Sequence, residues 1–224
     1  MAILRFVYFR RATICTTYFR EKPTKVRSTR HRSPPEPQLS SRPDLADMPA
    51  GDRKLTMEEM GRPLPEAHLH APKHPIVVVL DDLRSRHNVG SIFRSADAFG
   101  IERLLLCGFT PLPPHREIDK TALGATLSVP WAHRKSTMEA IEELRHAGYR
   151  VIAVEQTLAA VPITELAAMD QPVALVLGNE LNGVADEVIT ACDACTFIPQ
   201  MGSKHSLNVA VCAGVAMWNA TLSR

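Results

Sequence analysis

Cysteine is scarce in this chain: five in 224 residues, at positions 15, 107, 192, 195 and 212. An odd, sparse set excludes a disulfide framework and points to a reducing compartment. Cys192-Asp-Ala-Cys195 has the spacing of a metal or redox pair, but a zinc site needs two further ligands and the sequence holds no second pair. The expected role of these two cysteines is as small residues leading into a buried strand. Several sequence fingerprints are also missing. No Gly-x-Gly-x-x-Gly follows an early strand, no Gly-x-x-x-x-Gly-Lys-Ser/Thr offers a triphosphate cradle, and no Gly-x-Ser-x-Gly marks a hydrolase elbow. Charge is absent from Ser206 to Ser223. That run is long enough to raise the question of a membrane span. Ser206, Asn208, Asn219 and many small residues make it a better helix buried on most sides.

The charge that is present is unevenly spread. Residues 1–42 hold ten Lys/Arg against two Asp/Glu, a net +8, and residues 43–224 hold sixteen against twenty-two, a net −6. A basic arm, expected to be disordered over 1–53, therefore precedes a mildly acidic body, and such an arm can bind phosphate backbones. Its first twenty residues, "MAILRFVYFRRATICTTYFR", have four Arg and no acid, as organellar presequences do, and lack the apolar core of a secretory signal. A cytoplasmic location is expected, with a mitochondrial one as the alternative. Residues 54–74 read as a short linker segment, with one or two helical turns in "KLTMEEMGRP" and solvated loop histidines at 68, 70 and 74.

From residue 75 onward the pattern is that of a globular domain. Continuous apolar runs predict buried strands at 76–80, 103–107, 150–155, 172–178 and 195–199. Apolar residues at helical spacing predict helices over 88–100, 116–123, 137–148 and 206–222. Strands alternate with helices, so the expected fold is α/β, a mostly parallel sheet with helices on both faces. Ligands of such sheets bind beyond the carboxyl ends of the strands. The segments found there are "DDLRSRHNVGSIFR", "GNELNG" and "PQMGSKHSLN".

Taken in order, "NVGSIFRSADAFG", "LVLGNELNGV" and "IPQMGSKHSLNVAV" resemble the three motifs of the SpoU/TrmH family of RNA ribose methyltransferases, which belong to the SPOUT class. The resemblance covers roughly residues 75–222. It implies a C-terminal trefoil knot, which nothing in the hydrophobic pattern indicates. It implies S-adenosylmethionine held by Leu177, Gly178 and Gly183 of the second motif and by Ile198, Met201, Ser206, Leu207 and Asn208 of the third. Glu155 to Thr157 would lie near the cofactor. The family usually has Ser after the Asn-Val of its third motif, and Ala210 stands in that place here. The implied catalytic set is Asn88, Arg94, Glu180, Ser206 and Asn208. A ribose 2′-hydroxyl must lose its proton at or before attack. The family invokes the arginine, here Arg94, as the group that takes it. Because guanidinium stays protonated, the alternative is that Arg94 binds phosphate and stabilises a developing alkoxide. Arg116 and Lys120 beside this site are expected to contact RNA phosphates together with Arg94. The resemblance also implies a homodimer built on the closing helix. The expected function is transfer of a methyl group to a 2′-hydroxyl of tRNA or rRNA. The alternatives are a non-catalytic RNA-binding protein on the same scaffold and, lower in order, a base methyltransferase. No metal is expected.

Overall fold

The computed structural model describes residues 53–56, 58–62, 64–165 and 171–222. The basic arm, Arg53 apart, and the presequence-like stretch lie outside these residues.

Seven strands form one sheet: β1 (His74–Asp81), β2 (Ile101–Cys107), β3 (Trp131–Arg134), β4 (Arg150–Val154), β5 (Val161–Pro162), β6 (Val173–Leu177) and β7 (Ala194–Phe197). The order is β3-β2-β1-β6-β4-β7-β5, and every pairing is parallel. Helices α1 (Pro65–Leu69), α2 (Arg86–Ala98), α3 (Arg116–Ala122), α4 (Thr137–His146), α5 (Asp186–Ala191) and α6 (Val209–Leu222) connect or flank them.

A parallel sheet covered on both faces explains the unbroken apolar runs, because alternate side chains enter opposite cores. Ile76, Val78 and Leu80 of β1 pack with Ile92 and Phe93 of α2, Ile118 of α3, and Ala213 and Met217 of α6. Val77 and Val79 pack on the other face with Ile141 and Leu144 of α4 and Val188 of α5. Each fully buried side chain of this size contributes about 1.5–3 kcal/mol before entropy is counted. Gly90 permits a close approach of α2 to α3: a Cβ there would fall on the Thr121 hydroxyl and the Ile118 carbonyl.

Several expectations need correction. The closing helix begins at Val209 rather than 206, because Asn208 caps it and the preceding residues run as an open loop. The segment 88–100 is helical from Arg86 to Ala98, since Ser85 accepts from the N–H of Asn88. Among its described residues the segment 54–63 holds one turn at 58–61, closed by Met60 N on the Thr56 carbonyl at 3.1 Å, in keeping with the one or two turns expected there, and the helix α1 follows from Pro65. His68 is not a solvated loop residue: its Nε2 lies 3.4 Å from Asp97 Oδ1 and 3.2 Å from the Asp97 carbonyl. His74 belongs to β1.

The chain runs outward from β1 to β2 and β3, then crosses to β4 on the far side of β6. The sheet therefore changes direction at β1 and β6, and the crevice beyond their carboxyl ends is where ligands of such sheets bind.

Candidate active site

At that crevice β1 ends in Asp81 and Asp82. Asp81 is 5 % exposed. It accepts from the Thr137 hydroxyl at the start of α4 and, at 3.3 Å, from the Ala185 N–H that precedes α5. Burial pushes its carboxyl up, and the two hydrogen bonds oppose that shift. Asp82 takes a left-handed conformation, φ 52°. Its carbonyl accepts from Asn179 Nδ2 at 2.6 Å and its carboxylate from the N–H of Phe109 at 3.0 Å. Asp81 and Asp82 thus tie the ends of β1, β2 and β6 together. Neither was foreseen as a site residue, and the only signal was an acidic pair directly after a buried run.

The loop after β6 is tight. Asn179 and Gly183 exchange backbone hydrogen bonds, each 2.9 Å. Gly183 has φ 70°, which glycine adopts freely. A Cβ on Gly178 would fall on the backbone of Gly183 and Val184, and one on Gly183 on the Glu155 carboxylate. Glu155, just beyond β4, accepts from Val184 N at 3.0 Å and from Gln156 N at 2.9 Å. Both its oxygens are engaged, its own N–H donates to the Thr196 carbonyl at 2.9 Å, and the Thr157 carbonyl accepts from Ala160 N at 3.3 Å.

Glu180, at the tip of this loop, reaches the start of α2. Its carboxylate accepts from Arg84 N at 2.9 Å, Ser85 N at 3.0 Å and Asn88 Nδ2 at 2.9 Å. Partial burial pushes its carboxyl up, but the donors, led by the Arg84 N–H and the Asn88 amide, outweigh this and hold it below the ordinary carboxylate range. Asn88 Oδ1 in turn accepts from Asn208 Nδ2 at 3.2 Å. Asn208 Oδ1 accepts from the N–H groups of Ala210 and Val211 at 2.9 and 3.4 Å, the geometry of a helix cap. One hydrogen-bonded path therefore runs Glu180–Asn88–Asn208.

Arg94 and Ser206 stand outside this path. Arg94 is exposed on α2 and makes no hydrogen bond or ion pair among the described residues. It follows Asn88 by six positions, about 9 Å along the helix and roughly 120° around it. Ser206 is exposed in the loop before α6, as are Met201 and Leu207; Ile198, just after β7, is half-buried. Leu177 is buried at the end of β6, and Thr157 is half-buried after β4. Arg116 and Lys120, one turn apart, project from the exposed side of α3. Cys192 ends α5 and Cys195 lies in β7, both packed against a core; burial pushes the Cys192 thiol up to about 12. Among the described residues no cluster of His, Cys, Asp or Glu is arranged to hold a metal ion. No helix among them is long and apolar enough to cross a membrane.

The SpoU rRNA Methylase family model matches residues 75–218, the segment that holds every residue of this path. The chain belongs to that family. It is 31% identical over 167 residues to the 23S rRNA (guanosine-2′-O-)-methyltransferase RlmB of Nitrosomonas europaea, covering 74% of this chain and 60% of that one. Its fold is similar to the AdoMet-bound rRNA methyltransferase of Sinorhizobium meliloti, at a TM-score of 0.62, 31% identity and coverage of 71% and 59%. It is likewise similar to the TrmH/SpoU tRNA modifying enzyme of A. aeolicus, at a TM-score of 0.64, 25% identity and coverage of 71% and 80%. The chain spans about three-fifths of the length of the curated relatives it matches. As a SpoU family member it places its first motif along α2, its second on the end of β6 and the loop after it, and its third on the loop into α6.

Proposed function

We propose that the chain is an S-adenosylmethionine-dependent methyltransferase acting on a ribose 2′-hydroxyl of tRNA or rRNA in a reducing compartment. The Glu180–Asn88–Asn208 path carries this reading, because it joins all three motifs at the crevice where the sheet changes direction. The named relatives, an rRNA guanosine-2′-O-methyltransferase and an AdoMet-bound rRNA methyltransferase, supply the reaction class.

The residues present fit the cofactor. Residues 199–204, 206 and 207 make no backbone-to-backbone hydrogen bond among the described residues, so their N–H and C=O groups are available to an adenine edge. Met201 and Leu207 offer exposed apolar surface to its faces. Gly178 and Gly183 keep the floor free of side chains. Leu177, Gly178, Gly183, Ile198, Met201, Ser206, Leu207 and Asn208, with the backbone of Glu155 to Thr157, would hold it. When bound, the cofactor supplies an electrophilic methyl on a sulfonium sulfur. The trefoil knot belongs to the same reading.

Within the chain, Asn88, Glu180 and Asn208 fix the relative positions of three loops, and positioning is a large part of a displacement reaction. Glu180 is poorly placed to take the 2′-hydroxyl proton, because its carboxylate already accepts three N–H donors. Arg94, permanently cationic, stabilises the developing alkoxide and holds the target phosphate. Arg116 and Lys120 bind flanking phosphates.

Arg94 makes no hydrogen bond to this path among the described residues, and the same reading includes a homodimer in which a second copy packs beside the site. The face that copy would cover is on α6. Val211, Trp218 and Leu222, spaced i, i+7 and i+11, are 54, 52 and 62 % exposed and form an apolar stripe. Trp218→Glu is expected to convert a dimer to a monomer in analytical ultracentrifugation and to abolish transfer. A wild-type protein that sediments as a monomer while active would refute the dimer.

The test of function is transfer of label from S-adenosylmethionine to total tRNA and rRNA. Wild type is expected to label RNA, and Arg94→Ala to lose at least about 100-fold of the rate while binding the cofactor normally by calorimetry. In RNA-binding titrations at a series of salt concentrations, Arg116→Ala with Lys120→Ala is expected to lower the slope of log affinity against log salt by about 2. Cofactor and RNA binding without any transfer by wild type would instead establish a non-catalytic scaffold.

A further inference from the structure

Phe109 sits where an apolar ring has no structural reason to be. It is 61 % exposed, yet its turn is hydrogen-bonded on both sides. Its own N–H donates to Asp82 Oδ1 at 3.0 Å. Before it, Gly108 N donates to the Arg134 carbonyl at 3.0 Å, and Gly108 φ is 58°, with Asp82 filling the space a Cβ would need. After it, Thr110 is 2 % exposed, donates to the Leu80 carbonyl and accepts from Leu83 N, both at 3.1 Å. A mobile loop can swing an aromatic ring back onto the protein. This turn, pinned on both sides of Phe109, keeps the ring out.

The ring lines an open cleft of about 570 Å³ with Arg84, Arg86, Pro111, Asn179 and Asn182. Small-molecule sites span roughly 300–1,000 Å³. The cleft adjoins the site described above: Asn179 begins the loop that carries Glu180, and Arg84 N donates to Glu180. Arg84 and Arg86 are exposed; Arg86 Nη1 meets Glu117 at 3.3 Å. Asn179 is spent on the chain itself, its Nδ2 donating to the Asp82 carbonyl and its Oδ1 accepting from Leu181 N, but an exposed ring beside planar guanidinium groups and the exposed Asn182 amide matches a base in its chemistry: a face to stack, an edge to hydrogen-bond and a phosphate to neutralise. Duplex RNA hides its base faces, so the occupant is an unpaired nucleotide.

We propose that this cleft is a nucleobase subsite in which Phe109 stacks one unpaired base of the RNA next to the target ribose, with Arg84 and Arg86 on its phosphates. The subsite selects single-stranded or loop RNA and acts through stacking, so it tolerates more than one base identity. It rests on the methyltransferase reading for its partner class, but its test does not require turnover.

The test uses the full chain and a fluorescein-labelled 12-nucleotide single-stranded oligoadenylate, with a 12-base-pair RNA duplex as control. Phe109→Ala is expected to weaken single-strand binding roughly 5- to 150-fold, the range for loss of one stacked base, and to leave duplex binding and cofactor affinity unchanged. Phe109→Trp is expected to restore affinity and to show tryptophan quenching on binding. Arg84→Ala is expected to lower the salt slope by about 1. Single-strand affinity within twofold of wild type in Phe109→Ala, or equal losses for strand and duplex, would overturn the subsite. Separately, wild type that binds the oligonucleotide but transfers no methyl to any cellular RNA would remove the enzymatic reading while leaving the subsite standing.

Discussion

Gly178→Ala is expected to lower the melting temperature by roughly 6–12 °C, the equivalent of about 3 kcal/mol for a chain of this size, and to abolish binding of S-adenosylmethionine. The added Cβ would fall on the carbonyl carbon and oxygen of Gly183 and the nitrogen of Val184. These are backbone atoms, so no rotamer change relieves the clash. The loop must open, and with it go the paired hydrogen bonds of Asn179 and Gly183. The displaced segment carries Glu180 on its tip, so the damage reaches the candidate site as well as the fold. Gly183→Ala is a useful comparison. Its Cβ meets the Glu155 carboxylate, which can move, but φ of 70° costs a non-glycine residue about 1–3 kcal/mol. Thermal unfolding by circular dichroism and calorimetric titration with the cofactor measure both effects. Unchanged unfolding and cofactor affinity in Gly178→Ala would contradict the packing described.

Glu180→Gln is expected to reduce methyl transfer by about 100-fold or more, the penalty for roughly 1 Å of misplacement, with a far smaller effect on unfolding. The carboxylate receives three N–H donors from Arg84, Ser85 and Asn88. Glutamine keeps one acceptor oxygen and turns its own NH₂ towards the remaining donors, so the start of α2 is pushed away. The same geometry sets a pH dependence. The donors hold the folded carboxyl below its ordinary range. Their stabilisation is therefore complete above the unfolded pKa and is lost as pH falls through the depressed folded value. Wild-type activity should persist through the ordinary carboxylate range and collapse only below it. In Glu180→Gln the acid limb attributable to this residue should vanish. An unchanged pH–rate profile in the variant would show that Glu180 does not hold the site.

The frame of the fold was legible because buried strands of a two-faced parallel sheet carry apolar runs: β1, β2, β4 and β6 read that way, and β7 does so around its buried Thr196. The elements that escaped lack the signal. β3, Trp131–Arg134, is a short edge strand with His133 and Arg134 in it, and β5 has only two residues. α5 has six residues, too few for a helical period to repeat. The closing helix starts three residues later than its uncharged run because Asn208 supplies the cap. For the site, the three loops and their polar residues were named from the family resemblance. Which of them touch was not, since Asn88 and Asn208 are 120 positions apart in the chain. Asp81, Asp82 and Asn179 went unread because an acid or amide at a strand end looks like any turn until the neighbouring strands are known.

Asn208 divides its amide between two tasks. The oxygen starts α6 and the nitrogen holds Asn88. The helix that carries the apolar stripe and the loop that shapes the crevice therefore share one planar group and cannot reorient separately. In the proposed dimer, association of two chains through α6 and assembly of each crevice would be linked equilibria. Whatever free energy that association lent to ordering the crevice, a bound ligand would return to the dimer in equal measure.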